Sequence, residues 1–425
     1  MEQVMLRIVS KRMFLALAAG LVLMASAQAQ EVVLRHALEG KALDALTALT
    51  LRFNDARKDK ARVVLQGLAG VEDKRHLPQM AFLDPDDSLA FFDTRPRFRP
   101  LYEVMKEAGE KLDTRRFYPQ IADAEDDPAG RLQSLPLGLS VPVLFWNKAA
   151  FSKAGLNPET PPRTWWEVQK AAGALFDAGS GCPLTTSSFA WVHMENLLSQ
   201  HNEAMLVKPN RIAFNSLISV KHLALLSSWY KSRYFKYYGP RREGDAHFLS
   251  GECGMLTSQS SLYADIAREG NLQVGVAMLP HYDDQYGVLP RNVLPDGAGL
   301  WLLAGFKKPE YKVAASFIAF LMQPDNQRTW VRATGYLPMM PEAMKALREA
   351  GVPAAVTDLA ERRLSAPKIP RVRNGGGLER LREILGEETE FVWRNEKPAK
   401  EALDTAMRRA DGLVAVESWS SPKRR

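Results

Sequence analysis

From Val32 to Trp393, short apolar runs of the strand kind alternate with segments of helical period, and no low-complexity linker interrupts them. This alternation constrains the fold more than any other feature, because repeated strand and helix units build α/β layers with mainly parallel sheets. Val32-Val33-Leu34 reads as a strand, and Leu43, Leu46, Leu49 and Phe53 recur at the three- and four-residue spacing of a helix. Arg62-Val63-Val64-Leu65 and residues 79–83, 141–146, 274–279 and 300–304 read as further strands. Residues 100–109 form an amphipathic helix ending at Gly109, 151–154 a short helix, and 165–178 a helix with Thr164 as its N-cap. Two more helices are expected at 313–322 and 378–393. A chain of 425 residues exceeds what one hydrophobic core usually supports, so two lobes are expected. With no linker, the chain must cross between them more than once. The Pro- and Gly-rich stretches 135–140, 290–297 and 334–341 are the candidate crossings. The expected lobes are 30–138 with 292–338, and 139–291 with 339–425.

The N-terminus carries the pattern of a secretory signal. Lys11-Arg12 precedes an apolar run over residues 13–24, and Ala25-Ser26-Ala27-Gln28-Ala29 supplies small residues at cleavage spacing. The run is shorter than the roughly 20 residues of a membrane span, so residues 1–29 are expected to be removed and the protein to reach the periplasm. Under that expectation the net charge of +7 argues for a solvated surface or an anionic ligand, not for nucleic acid. The two cysteines, Cys182 and Cys253, fit either a disulfide or two buried thiols.

Catalytic patterns are missing. The chain has no G-x-S-x-G, H-E-x-x-H or Walker A motif, and its seven histidines include no metal-ligand pair on one helix face. No enzyme activity, metal or cofactor is expected. A secreted hydrolase with a dispersed site stays open, since triads are not local in sequence.

Several segments, taken in order, carry a family resemblance. They are His36-Ala37-Leu38-Glu39-Gly40 with Arg52-Phe53-Asn54, the run Val141 through Lys148 with Lys153-Ala154-Gly155-Leu156, and Pro161-Pro162-Arg163-Thr164-Trp165. Trp191 with Glu195-Asn196, Gly251-Glu252-Cys253-Gly254-Met255, Gly297-Ala298-Gly299-Leu300-Trp301, Thr334-Gly335-Tyr336-Leu337-Pro338 and Ala402-Leu403-Asp404-Thr405-Ala406 follow. The chain resembles the periplasmic sn-glycerol-3-phosphate-binding proteins of ABC importers, within the larger maltose-binding-like class. The resemblance implies a type II periplasmic binding protein fold, two α/β lobes with a ligand cleft between them. It also implies a monomer that captures a polyol or polyol phosphate and delivers it to an inner-membrane permease served by a separate ATPase subunit.

The resemblance also implies a site. Trp191 would pack its face on a carbon skeleton, Tyr336 would offer a hydroxyl, and Gly297 would allow close backbone approach. Ser140 and Ser260 match serines of the pattern, with Ser258, Ser260 and Ser261 read as a small-residue loop after a strand. Arg373 would clamp an anion with its planar fork, and Arg371 is the fallback. Two departures bear on the ligand: Ala69 stands where the pattern has a tyrosine, and Asp86 stands where it has a glutamate. A neutral oligosaccharide or polyol therefore stays open beside a glycerol phosphate or glycerophosphodiester.

Overall fold

The computed structural model describes residues 30–58, 61–68, 77–84, 98–124, 132–201, 203, 206–208, 211–284, 293–365 and 377–414. Two mixed sheets organise it. The first contains β1 (Glu31–His36), β2 (Arg62–Gly67), β3 (Met80–Leu83), β4 (Phe98–Arg99), β5 (Leu135–Ser140) and β12 (Asp296–Leu303). The second contains β6 (Pro142–Asn147), β7 (Cys182–Thr186), β10 (Cys253–Gln259) and β11 (Val274–Met278), in the order β11-β6-β10-β7. A small hairpin, β8 (Leu206–Lys208) with β9 (Arg211–Ile212), stands apart.

In the first sheet the period-2 pattern of β1 buries Val32, Leu34 and His36, and its register sets Val32 beside Val63. The helix Gly40–Asp55 buries Leu46, Leu49 and Phe53 on this sheet. Its Asn54 brackets Val63 with two 2.9 Å hydrogen bonds, the amide donating to the carbonyl and the Val63 N–H donating to Oδ1. In the second sheet β6 is buried on both faces, and successive residues serve different cores: Val143 and Phe145 one, Leu144 and Trp146 the other. Thr164 and Glu167 cap the helix Trp165–Asp177 reciprocally. Cys182 and Cys253 face each other at the start of parallel β7 and β10 and form a disulfide, Cα to Cα 4.5 Å.

The expectation of mainly parallel sheets needs correction. β1 runs parallel to β2 and β3, and β10 to β7, but β12 is antiparallel to β3, β4 and β5, and β6 is antiparallel to β10 and β11. The cause is the connectivity. Helix crossovers within a lobe give parallel neighbours, whereas β6 and β12 enter their sheets from the other sheet and run the opposite way.

The chain passes from β5 to β6 through Val141 alone. Val141 is fixed by Ser260, whose hydroxyl accepts its N–H at 3.2 Å and whose N–H donates to its carbonyl at 2.8 Å. It returns ahead of Asp296, where Gly138 and Gly297 pack backbone on backbone. Gly297 has φ +147°, and a Cβ there would overlap the carbonyl oxygen of Gly138. A third strand-like contact joins the Leu337 N–H to the Leu139 carbonyl at 2.8 Å. The C-terminal helices Gly377–Trp393 and Ala399–Val414 pack on the second core through Trp393, Ala402, Leu403 and Ala406.

Candidate functional site

A cavity of about 270 Å³ opens where the two sheets meet. The first sheet contributes Gly138 of β5, the β12 start Asp296-Gly297-Ala298, and Asp84 just after β3. Tyr336, next to the Leu337 that bonds to β5, closes that side and stacks on Trp330 with ring centroids 6.1 Å apart. The opposite wall is made by Ser188 to Trp191, the turn Pro240-Arg241-Arg242 and Gln259 at the end of β10. One face of the helix Gly377–Trp393 forms the remainder, with Glu379, Arg382, Glu383, Gly386, Glu387 and Glu390 at helical spacing.

Trp191 lies in a π-helical turn, Ala190–Glu195, and is 4% exposed. Its indole N–H donates to the Leu294 carbonyl at 3.0 Å. Asn196 holds both partners: its amide donates to the Trp191 carbonyl at 2.8 Å, and its Oδ1 accepts the Leu294 N–H at 2.7 Å. The aromatic wall of the cavity is thereby tied to the segment leading into β12.

The floor is electrostatic. Arg382 meets Glu195 in a two-pronged pair, 2.5 Å from Nε and 3.0 Å from Nη2, and its Nη1 lies 2.6 Å from Asp296 Oδ2. Burial disfavours the charged guanidinium, but Asp296 and Glu195 override it and hold its pKa above the ordinary value. Glu379 lies next to this triad. Burial raises its pKa to about 7 against the pull of Arg382, with Asp296 and Glu195 adding to the rise.

Arg242 stands on the opposite wall. Its Nε is 3.1 Å from the buried carboxylate of Asp245, which also accepts the Ser258 hydroxyl at 2.6 Å. With its amide oxygen facing the guanidinium, Gln259 accepts from Nη2 at 2.8 Å. Ser188 takes a left-handed φ of +49°, uncommon for a residue with a Cβ, while its N–H donates to the Arg241 carbonyl.

Of the residues singled out from sequence, Trp191, Gly297 and Tyr336 meet at this cavity. Ser140 and Ser260 are buried and lie off its wall. Ser260 clamps Val141, and the Ser140 hydroxyl has no hydrogen-bond partner among the described residues. Ser258 belongs to β10 rather than to a loop, and it serves Asp245. Asp86, Arg371, Arg373 and Ala69 lie outside the described residues. Sequence reasoning missed Asp84, Arg242, Asp296, Glu379 and Arg382. The spacing Glu379, Arg382, Glu383 was the available signal for the last pair, but on a helix the same spacing marks any solvated face.

The family model of bacterial extracellular solute-binding proteins matches residues 69–358. This chain belongs to that family. Curated relatives include the sn-glycerol-3-phosphate-binding periplasmic protein UgpB of Yersinia enterocolitica, 33% identical over 90% of this chain and 92% of its own. UgpB of Escherichia coli O6:K15:H31 is 34% identical over 94% of this chain and 96% of its own. Among solved structures, UgpB from Mycobacterium tuberculosis in complex with glycerophosphocholine superposes with TM-score 0.72 at 20% identity, covering 91% of this chain and 99% of that one. Maltose-bound MalE3 of T. maritima gives 0.71 at 17% identity, covering 91% and 100%. The solute-binding protein therefore has the two-lobed, maltose-binding-like fold, and its family serves transport.

Proposed function

We propose that this chain is the periplasmic solute-binding subunit of an ABC importer for glycerol 3-phosphate, a glycerophosphodiester or a related polyol. Ligand enters the cleft between lobes 30–138 with 292–338 and 139–291 with 339–425. The monomer closes on it and docks on a permease whose separate ATPase supplies the energy, and no bond of the ligand changes. Closure follows from tighter binding by the closed state. Residues 1–29 direct export. Ligand contacts are assigned to Trp191, Gly297 and Tyr336, with Ser140, Ser260, Asp86 and Arg373 added from the family resemblance. The observation that carries the reading is a cavity between the sheets that joins an aromatic face, hydroxyls and guanidinium groups, in a chain matched almost end to end by glycerol-3-phosphate-binding relatives.

A thermal-shift screen of the mature protein against glycerol 3-phosphate, glycerophosphocholine, glycerol and maltose tests it. A ligand at 100 times its Kd stabilises the native state by about 2.7 kcal/mol. At least one phosphorylated polyol is expected to raise the melting temperature. A rise with maltose alone would transfer the reading to neutral oligosaccharides.

A further inference from the structure

Three guanidinium groups border the cavity among the described residues, and they are not equivalent. Each nitrogen of Arg382 already faces a carboxylate oxygen of Glu195 or Asp296. Two carboxylates thus oppose one cation before Glu379 is counted. A phosphate entering there would meet net negative charge and would have to displace a buried carboxylate. The remaining carboxylates of this helix face, Glu383, Glu387 and Glu390, pair with Arg380, Arg409 and Arg394.

Arg242 is built differently. Among the described residues Asp245 is the carboxylate that salt-bridges its guanidinium, the neutral amide of Gln259 also holds it, and Asp84 adds an attraction without a salt bridge, while 42% of the side chain stays exposed. Asp245 is itself buried and is satisfied by Ser258. A buried carboxylate is retained at a desolvation cost, and here it fixes the fork before any ligand arrives. Arg241 follows the same wall, and its backbone is locked to the strained Ser188. No carboxylate salt-bridges the Arg241 guanidinium among the described residues.

We propose that the cavity is polarised. Arg242, supported by Arg241, recognises the anionic group of the ligand in addition to the contact assigned to Arg373, and the cavity-lining carboxylates Asp296 and Glu379, on the floor around Arg382, receive its hydroxyl donors. This rests on the reading of the cleft as a site for phosphorylated polyols, and it fixes which way such a ligand lies.

Calorimetric titration of the parent, Arg242→Gln and Arg242→Lys with glycerol 3-phosphate, glycerophosphocholine and glycerol separates the two claims. Removing a charge-assisted contact should weaken the phosphorylated probe that the parent binds by about 10- to 100-fold. Arg242→Lys, which keeps charge and loses the fork, should recover part of that loss and reports on folding of the site. Affinity for glycerol, where measurable, should stay within about twofold across the three proteins. Phosphorylated ligands bound by Arg242→Gln as tightly as by the parent, or an equal loss for glycerol, would overturn the polarity while leaving the functional reading intact. A parent that binds neither phosphorylated probe overturns both.

Discussion

Glu379 shows how one position acquires its chemistry from neighbours far away in sequence. In an unfolded chain it is an ordinary glutamate, with a pKa near 4.5, and burial beside Asp296 and Glu195 raises it to about 7 in the fold. The folded state then holds a proton that the unfolded state has released, so its contribution to stability is lost as pH rises from about 4.5 through 7. Glu379→Gln removes the titration. Its stabilisation relative to the parent should therefore grow with pH, by on the order of 2–3 kcal/mol between pH 4.5 and 8. Urea unfolding at both pH values checks this, and a pH-independent difference would exclude it. In sequence Glu379 is one of several glutamates on a charged helix face. The partners that make it unusual come from β12 and the π-helical turn.

At the scale of elements, the π-helical turn and the helix Leu217–Lys231 share a buried polar chain. His193 and His222 hydrogen-bond through Nδ1 and Nε2 at 2.9 Å, Nε2 of His193 meets the Thr257 hydroxyl at 2.8 Å, and Nδ1 of His222 meets the Tyr282 hydroxyl at 2.9 Å. Burial lowers both histidine pKa values, that of His193 to about 3. Here the sign is opposite to that of Glu379. The unfolded chain binds protons that the fold refuses, so stability falls as pH drops below about 6.5, by up to about 1.4 kcal/mol per pH unit for each group. His222→Asn should show a shallower acid loss than the parent in urea unfolding between pH 7 and 5, whatever its stability at pH 7. Parallel slopes would exclude the pair as the source. The sequence made Thr164 legible as an N-cap, because an N-cap acts within its own helical turn, and the structure added Glu167 as the reciprocal partner. It gave no sign of the π-helical turn, which carries Trp191 and Glu195 to partners in distant elements.

The whole molecule depends on the passage between sheets. Gly297 and Gly138 let β12 and β5 approach where the chain crosses, and Gly297 occupies a backbone conformation that side chains rarely adopt. Gly297→Ala should lower stability by roughly 1–3 kcal/mol through this strain and the overlap with Gly138. Differential scanning calorimetry of the variant beside Gly40→Ala, a positive-φ glycine with open space around it, separates overlap from strain alone. Equal losses would show that the close approach carries no energy. By itself the sequence determined the α/β alternation, most strand and helix positions, and Trp191, Gly297 and Tyr336 as cavity residues. Each of these rests on local periodicity, turn chemistry or family pattern. The tertiary structure alone decided the antiparallel entry of β6 and β12, the Cys182–Cys253 pairing, the clamp of Ser260 on Val141, and the contrast between Arg382 and Arg242. The physical reason is that strand direction, pairing and electrostatic environment depend on residues brought together from separate parts of the chain. Arg382 and Arg242 are alike as letters, and they differ because two carboxylates salt-bridge one, whereas among the described residues one carboxylate salt-bridges the other and an amide completes its hold.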